Sequence, residues 1–288
     1  MSSLSLKQRQ QLKLITCFFD FDDTIYVPEF PETTKLNIEA IDRLRQRGYI
    51  VVVITARSYA CLLMNMPDAP RHFDYIVAND GAVIYKIDGT TTPLVLYEDA
   101  MEDRLINRFQ SKLKSLPIGE HAIVNYSGEK ELDGIQPATR IYKIRYWTKD
   151  KRDGDAIYNL VRSEFKEELS AFIYPEVPYY RHHDISRLPW IVDPALNTAV
   201  DIYNVNTNKR TAVNWLLEHI EPQLPNNAAI YTVAAGDHYN DIEMLCNVDR
   251  SFVMEKGRKE VKALSGIQIV PNLHTAIDSV LNSENIVP

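Results

Sequence analysis

The chain has 288 residues, 45% of them hydrophobic, which excludes a disordered chain and allows either one large core or a core carrying an inserted unit. With 32 basic against 39 acidic side chains the formal charge is −7, and no lysine or arginine stripe is present, so nucleic acid is not an expected partner. The three cysteines (Cys17, Cys61, Cys246) lie far apart without CxxC spacing, which argues against a disulfide framework or structural zinc and fits a cytoplasmic location. Neither the polar residues 1–13 nor the apolar run after them, broken at Asp20, reads as an export signal or membrane span.

Residues 14–19 form a continuous apolar run, the pattern of a strand covered on both faces, and it ends in Asp20-Phe21-Asp22-Asp23-Thr24. Ile38, Ile41 and Leu44 mark a helix over 34–47 with Gly48 as its stop. A second buried strand at 50–54 runs into Thr55-Ala56-Arg57-Ser58, and strand, helix, strand with short links calls for a parallel sheet. A third strand at 75–78 leads into Asn79-Asp80-Gly81-Ala82, and 83–87 with 93–97 reads as a hairpin around Asp88-Gly89.

From residue 98 the pattern changes to helices and antiparallel strands. Leu105, Ile106, Phe109, Leu113 and Leu116 predict a helix stopped by Pro117, and a second helix is expected over 155–169. Strands are expected at 121–126, 139–147, 171–174 and 188–192. This α+β stretch sits between two α/β stretches, so the expected division is a core of 1–97 and 198–288 with an inserted domain at 98–197. After residue 200 come a helix from 207 with Lys209 in its first turn, a strand at 229–235 running into Gly236-Asp237, strands at 251–254 and 267–270, a helix over 258–264, and a closing helix from 272.

Four polar clusters follow a strand's carboxyl end or open the next helix: Asp20/Asp22, Thr55/Arg57, Lys209, and Asp237/Asn240/Asp241. Ligands of open parallel sheets bind beyond those ends, so the clusters are expected to converge. Each alone has a plain structural explanation: an aspartate or threonine as a helix cap, an arginine or lysine on the surface. Two aspartates at i and i+2 with Asp23 beside them are harder to dismiss, because so much like charge is costly without a cation. A hard divalent ion such as magnesium takes oxygen ligands, which Asp20, Asp237, Asp241 and the Asp22 backbone carbonyl offer.

In this order the clusters resemble the four motifs of the haloacid dehalogenase (HAD) superfamily: DxDx(T/V) at residues 20–24, Thr55 after a hydrophobic strand, Lys209, and GDxxND at 236–241. The inserted domain, Asn79-Asp80-Gly81-Ala82 and the run ending at Met244-Leu245 are similar to the Cof-like branch with a type-II cap. Where many of its members carry glycine, this chain has Asp23 and Ala56. The resemblance implies a Rossmann-like parallel-sheet core with an inserted α+β cap. It also implies a magnesium-dependent phosphatase for a small phosphorylated metabolite, sugar phosphates being the first guess.

In that reading Asp20 is the nucleophile of an aspartyl-phosphate intermediate and Asp22 the acid and base. Thr55, Ala56, Arg57, Lys209 and Asn240 bind phosphate, and Asp20, Asp22, Asp237 and Asp241 hold Mg2+. A phosphomutase using the same chemistry and, less well matched in length, a signalling phosphoacceptor are the competing functions. Substrate contacts are expected from the cap among Tyr126, Tyr142, Tyr146, Tyr179, Tyr180, His182, His183 and Trp190, although packing within the cap is the better expectation for any one of them.

Overall fold

The computed structural model describes residues 13–89, 93–119, 121–126, 131–133, 140–174, 198–220 and 229–283. Its first half runs β1 (Lys13–Asp20), α1 (Pro31–Gln46), β2 (Ile50–Ile54), α2 (Tyr59–Asn65), β3 (Tyr75–Ala78), β4 (Val83–Lys86) and β5 (Leu94–Glu98). There follow α3 (Asp103–Leu113), β6 (His121–Tyr126), β7 (Glu131–Asp133), β8 (Lys143–Thr148), α4 (Lys151–Glu164), β9 (Leu169–Tyr174) and β10 (Thr198–Asn204). The chain closes with α5 (Lys209–Ile220), β11 (Ala229–Gly236), α6 (Ile242–Leu245), β12 (Arg250–Met254), α7 (Lys259–Lys262), β13 (Gln268–Val270) and α8 (Leu273–Leu281).

An eight-stranded sheet has the order β13-β12-β11-β1-β2-β3-β4-β5. The strands from β13 to β3 are parallel, and β4 and β5 add an antiparallel edge. The unbroken hydrophobicity of β1 follows from its position. Ile15, Cys17 and Phe19 pack with α1 and α8 on one face, while Phe18 packs with α5 and α6 on the other. A strand buried on both sides has no polar face to show, and its first carboxylate marks where the chain leaves the core. This is the Rossmann-like α/β core expected, with helices on both faces.

The second sheet is antiparallel, in the order β7-β6-β8-β10-β9. Its β8 and β10 alternate with period two. Ile144, Tyr146, Val200 and Ile202 pack beneath Ile106 and Phe109 of α3 and Ile157 and Val161 of α4. Lys143, Arg145, Asp201 and Tyr203 therefore lie on the opposite face.

Three expectations change. The expected return to the core at residue 198 comes too early: Thr198–Asn204 pairs with β8 and β9 inside the second sheet, so the chain crosses back only after Asn204. Its apolar residues alternate, as suits a sheet with helices on one face, whereas a buried parallel strand would be apolar throughout. The helix expected over 155–169 is shifted toward the N-terminus, because Asp150 caps it by accepting from the Arg152 amide at 2.8 Å. Helix α2 was not foreseen; Ser58 caps it by accepting from the Cys61 amide. The strand expected at 188–192 lies outside the described residues. Among the described residues no helix is long and apolar enough to cross a membrane.

Candidate active site

Beyond the carboxyl end of β1 the chain turns sharply: the amides of Ile25 and Tyr26 both donate to the Phe21 carbonyl, and Asp23 donates to Tyr26. Asp23 takes the left-handed conformation, with φ 56°. That requirement explains how an aspartate serves where a glycine is common, since Asp tolerates this region better than most side chains. The turn leaves Asp20 buried at the strand end and Asp22 about a third exposed beside Arg57.

Lys209 is the first residue of α5, and its ammonium is completely buried. It donates to Asp20 Oδ1 and, at 2.6 Å, to Asp241 Oδ1. The other oxygen of Asp241 accepts from the amides of Asp237 at 3.0 Å and His238 at 2.9 Å. This close fold explains Gly236, where a Cβ would lie 2.6 Å from the Asp241 carboxylate. Carboxylate oxygens of Asp20, Asp237 and Asp241 all lie within 4.8 Å of one another.

The electrostatics follow from three carboxylates around one ammonium. Burial raises the Asp20 carboxyl well above its ordinary value, and Asp241 and Asp22 add to this against the pull of Lys209. Asp237 is likewise raised, by burial and then by Asp20 and Asp241. Burial alone would lower Lys209, but Asp20 and Asp241 hold it well above its ordinary value. The donor set is hard oxygen with an excess of negative charge, which fits a divalent cation of the magnesium type.

Over this floor runs the loop after β2. Thr55 is fully buried, and its hydroxyl oxygen accepts from the Arg57 amide at 3.1 Å. Its carbonyl accepts from the Asp80 amide, and the Arg57 carbonyl accepts from the Asn79 amide, both at 2.9 Å. The Ala56 amide has no hydrogen-bond partner among the described residues. With the Thr55 carbonyl turned toward the β3 side and no cis peptide present, the Ala56 N–H points back toward β1 and Asp20.

Arg57 does not reach toward the floor. Its guanidinium grips the Asp22 carboxylate in a fork, with contacts of 2.6, 2.9 and 3.1 Å, and also donates to Cys61 Sγ. Asp22 therefore keeps its carboxylate out of the acidic trio, leaving only the expected backbone carbonyl for a metal. Asn240 donates its side-chain amide to Asp80 Oδ1 at 2.8 Å.

Asp80, to which the sequence pattern assigns no role at the site, is a meeting point. It is buried at φ 56°, next to Asn79 at φ 51°, and besides Asn240 it accepts from the Tyr203 hydroxyl at 2.7 Å. Gly81 follows at φ 116°, where a Cβ would lie 2.5 Å from the carbonyl oxygen of Asn208, the residue before Lys209. Two consecutive non-glycine residues in the left-handed region are a strained arrangement. Nearby, Lys143 lies 3.6 Å from Asp80 and 3.7 Å from Asp201, while Arg145 forms a bidentate pair with Asp201. The alternation Lys143-Ile144-Arg145-Tyr146 and Val200-Asp201-Ile202-Tyr203 was the available signal for this polar face.

Of the expected substrate-facing aromatics, Tyr142 and Tyr146 are buried. Tyr142 belongs to the core beside α1 and donates to Glu98 at 2.8 Å, and Tyr146 packs against Phe109. The Tyr126 side chain and Tyr179, Tyr180, His182, His183 and Trp190 lie outside the described residues.

A doubly wound sheet, an inserted antiparallel unit and an acidic trio around a buried lysine define a hydrolase of the HAD type. A family model described as haloacid dehalogenase-like hydrolase matches residues 17–281, and the chain belongs to this family, in its Cof-like branch. Solved structures repeat the fold at low sequence identity. SMU.1108c from Streptococcus mutans superimposes with a TM-score of 0.70 at 17% identity, covering 94% of this chain and 100% of its own. A HAD/COF-like hydrolase from Plasmodium vivax gives 0.65 at 18%, with 95% and 97% covered. The HAD subclass IIB sugar phosphatase BT4131 gives 0.61 at 15%, with 94% and 99% covered. No curated protein matches the sequence.

Proposed function

We propose that the protein is a magnesium-dependent phosphatase, a phosphoric monoester hydrolase acting on a small phosphorylated metabolite, with sugar phosphates the leading class. The observation that carries this reading is the buried Lys209 shared by Asp20 and Asp241, with Asp237 beside them and an Ala56 amide, without a partner among the described residues, facing the same place. The description of BT4131 as a sugar phosphatase supports the substrate class.

In the first step an Asp20 carboxylate oxygen bonds to phosphorus in line with the ester oxygen, whose bond to phosphorus breaks, and Asp22 gives that oxygen a proton. In the second, water attacks the phosphorus of the aspartyl-phosphate, Asp22 takes the proton, and Asp20 is released with inorganic phosphate. Lys209, the Thr55 hydroxyl, the Ala56 amide and the Asn240 side chain hold the phosphoryl oxygens. Arg57 orients Asp22 through its fork. Asp20, Asp237, Asp241 and the Asp22 carbonyl would hold a magnesium ion, which would supply the positive charge that lets a carboxylate approach phosphate. The second sheet serves as a cap over the site, with boundaries at 98–204 in place of the expected 98–197. A cytoplasmic location belongs to the same reading.

The test is a panel of phosphate monoesters assayed with magnesium and with a chelator. Wild type releases phosphate only with the metal, and Asp20→Asn, shown by cooperative melting to be folded, abolishes turnover. Full turnover by the variant would overturn the assignment of the nucleophile.

A further inference from the structure

Lys143 is a lysine with no solvent exposure, carried by a strand of the second sheet, yet its ammonium donates to the backbone carbonyl of Ala56 in the loop after β2. An ammonium placed among backbone loses its hydration, so its hydrogen bonds and neighbouring carboxylates must replace water. Asp80 at 3.6 Å and Asp201 at 3.7 Å supply the charge, and the Ala56 carbonyl supplies the bond. The consequence for the loop lies in its peptide planes. The Thr55–Ala56 plane is held at its carbonyl by the Asp80 amide, and the Ala56–Arg57 plane is held at its carbonyl by Lys143 and at its amide by Thr55 Oγ1. Between these two fixed planes the Ala56 N–H has no partner among the described residues and faces the Asp20 side.

We propose that Lys143 is a positioning residue that reaches from the second sheet to fix the Ala56 peptide, so that the phosphoryl-binding amide is set only when that sheet lies over the site. This rests on the phosphatase reading above. Lys143 touches no reacting atom; it acts through the loop, and the loop gains its final geometry from a residue of the other sheet. Asp80 completes the same clamp from the core side. Its amide holds Thr55, while its carboxylate lies near Lys143 and accepts from Tyr203 of the second sheet.

The experiment uses the full chain with magnesium and p-nitrophenyl phosphate, comparing wild type, Lys143→Met and Lys143→Gln. Lys143→Met keeps the volume and removes the donor, and kcat falls on the order of 10- to 100-fold, the usual cost of losing a group that orients a ligating one. Affinity for orthovanadate, a mimic of five-coordinate phosphorus, falls by a similar factor, while KM moves little. Lys143→Gln, which retains an N–H donor, recovers part of both losses. A purely structural lysine would lower the melting temperature and leave the kcat of the folded fraction and its vanadate affinity unchanged, and that result would overturn the proposal. So would a rise in KM with kcat intact, which would place Lys143 against the leaving group. If Lys143→Met does not fold, Lys143→Gln, which keeps a neutral donor beside Asp80 and Asp201, is compared with wild type directly, and a smaller loss of kcat and of vanadate affinity in the folded protein is expected. Absence of hydrolysis by wild type across a panel of phosphate monoesters would overturn the phosphatase reading and this inference together, whereas active wild type with unchanged variants overturns only the inference.

Discussion

Asp20 and Asp22 are two residues apart and meet different surroundings. Asp20 is buried with Lys209 against it, while Asp22 is about a third exposed and gripped by Arg57. That difference suits one carboxylate to bond formation and the other to moving a proton to and from solvent. Asp22→Asn is expected to slow turnover by about 100-fold or more, the scale for losing a general acid and base, with little change in stability because an amide still accepts from Arg57. Steady-state kinetics alongside thermal melting checks this, and an unchanged kcat would remove Asp22 from the chemistry. The identities of these residues were legible in the sequence because each lies where an apolar run stops. The grip of Arg57 on Asp22 was not, since nothing in the spacing says which of several anions within reach a long side chain will take.

At the scale of elements, β8 and β10 carry one apolar face under helices and one polar face that is also buried, with Arg145 directly opposite Asp201 in register. Burial alone would raise Asp201, but Arg145 and Lys143 outweigh it and hold the carboxyl below its ordinary value. A carboxyl depressed in the folded state contributes stability above its unfolded value, near pH 4, and loses it as pH falls through the folded value. Asp201→Asn should therefore cost roughly 3–5 kcal/mol at neutral pH, the scale for breaking a buried pair, and the gap from wild type should narrow below about pH 4. Thermal melts at the two pH values test this; a gap independent of pH would show that the Asp201 charge is not what holds the face together. The core elements were readable because strands buried on both faces are apolar without interruption. The second crossing is set too early because only a short link separates β10 from the α/β pattern that follows it; its alternation, against the unbroken apolar run of a buried parallel strand, is the signal that assigns it to the second sheet.

For the whole molecule, the site is assembled from both sheets. The core gives the acidic floor and the loop after β2, and the second sheet gives Lys143 and Tyr203, which reach Ala56 and Asp80. Sequence order showed the first group because its members follow one rule, a polar residue beyond a parallel strand. It could not show the second, whose partners lie between 87 and 123 residues away and meet only when two separately built layers are stacked. The central step of the proposed reaction is the bonding of phosphorus to Asp20 during turnover. Rapid acid quench of the enzyme turning over a hydrolysed monoester, followed by borohydride reduction and peptide mass spectrometry, reads this directly. The predicted result is homoserine at position 20 in wild type and none without substrate; turnover with position 20 unmodified and the label at another residue, or at none, would contradict it.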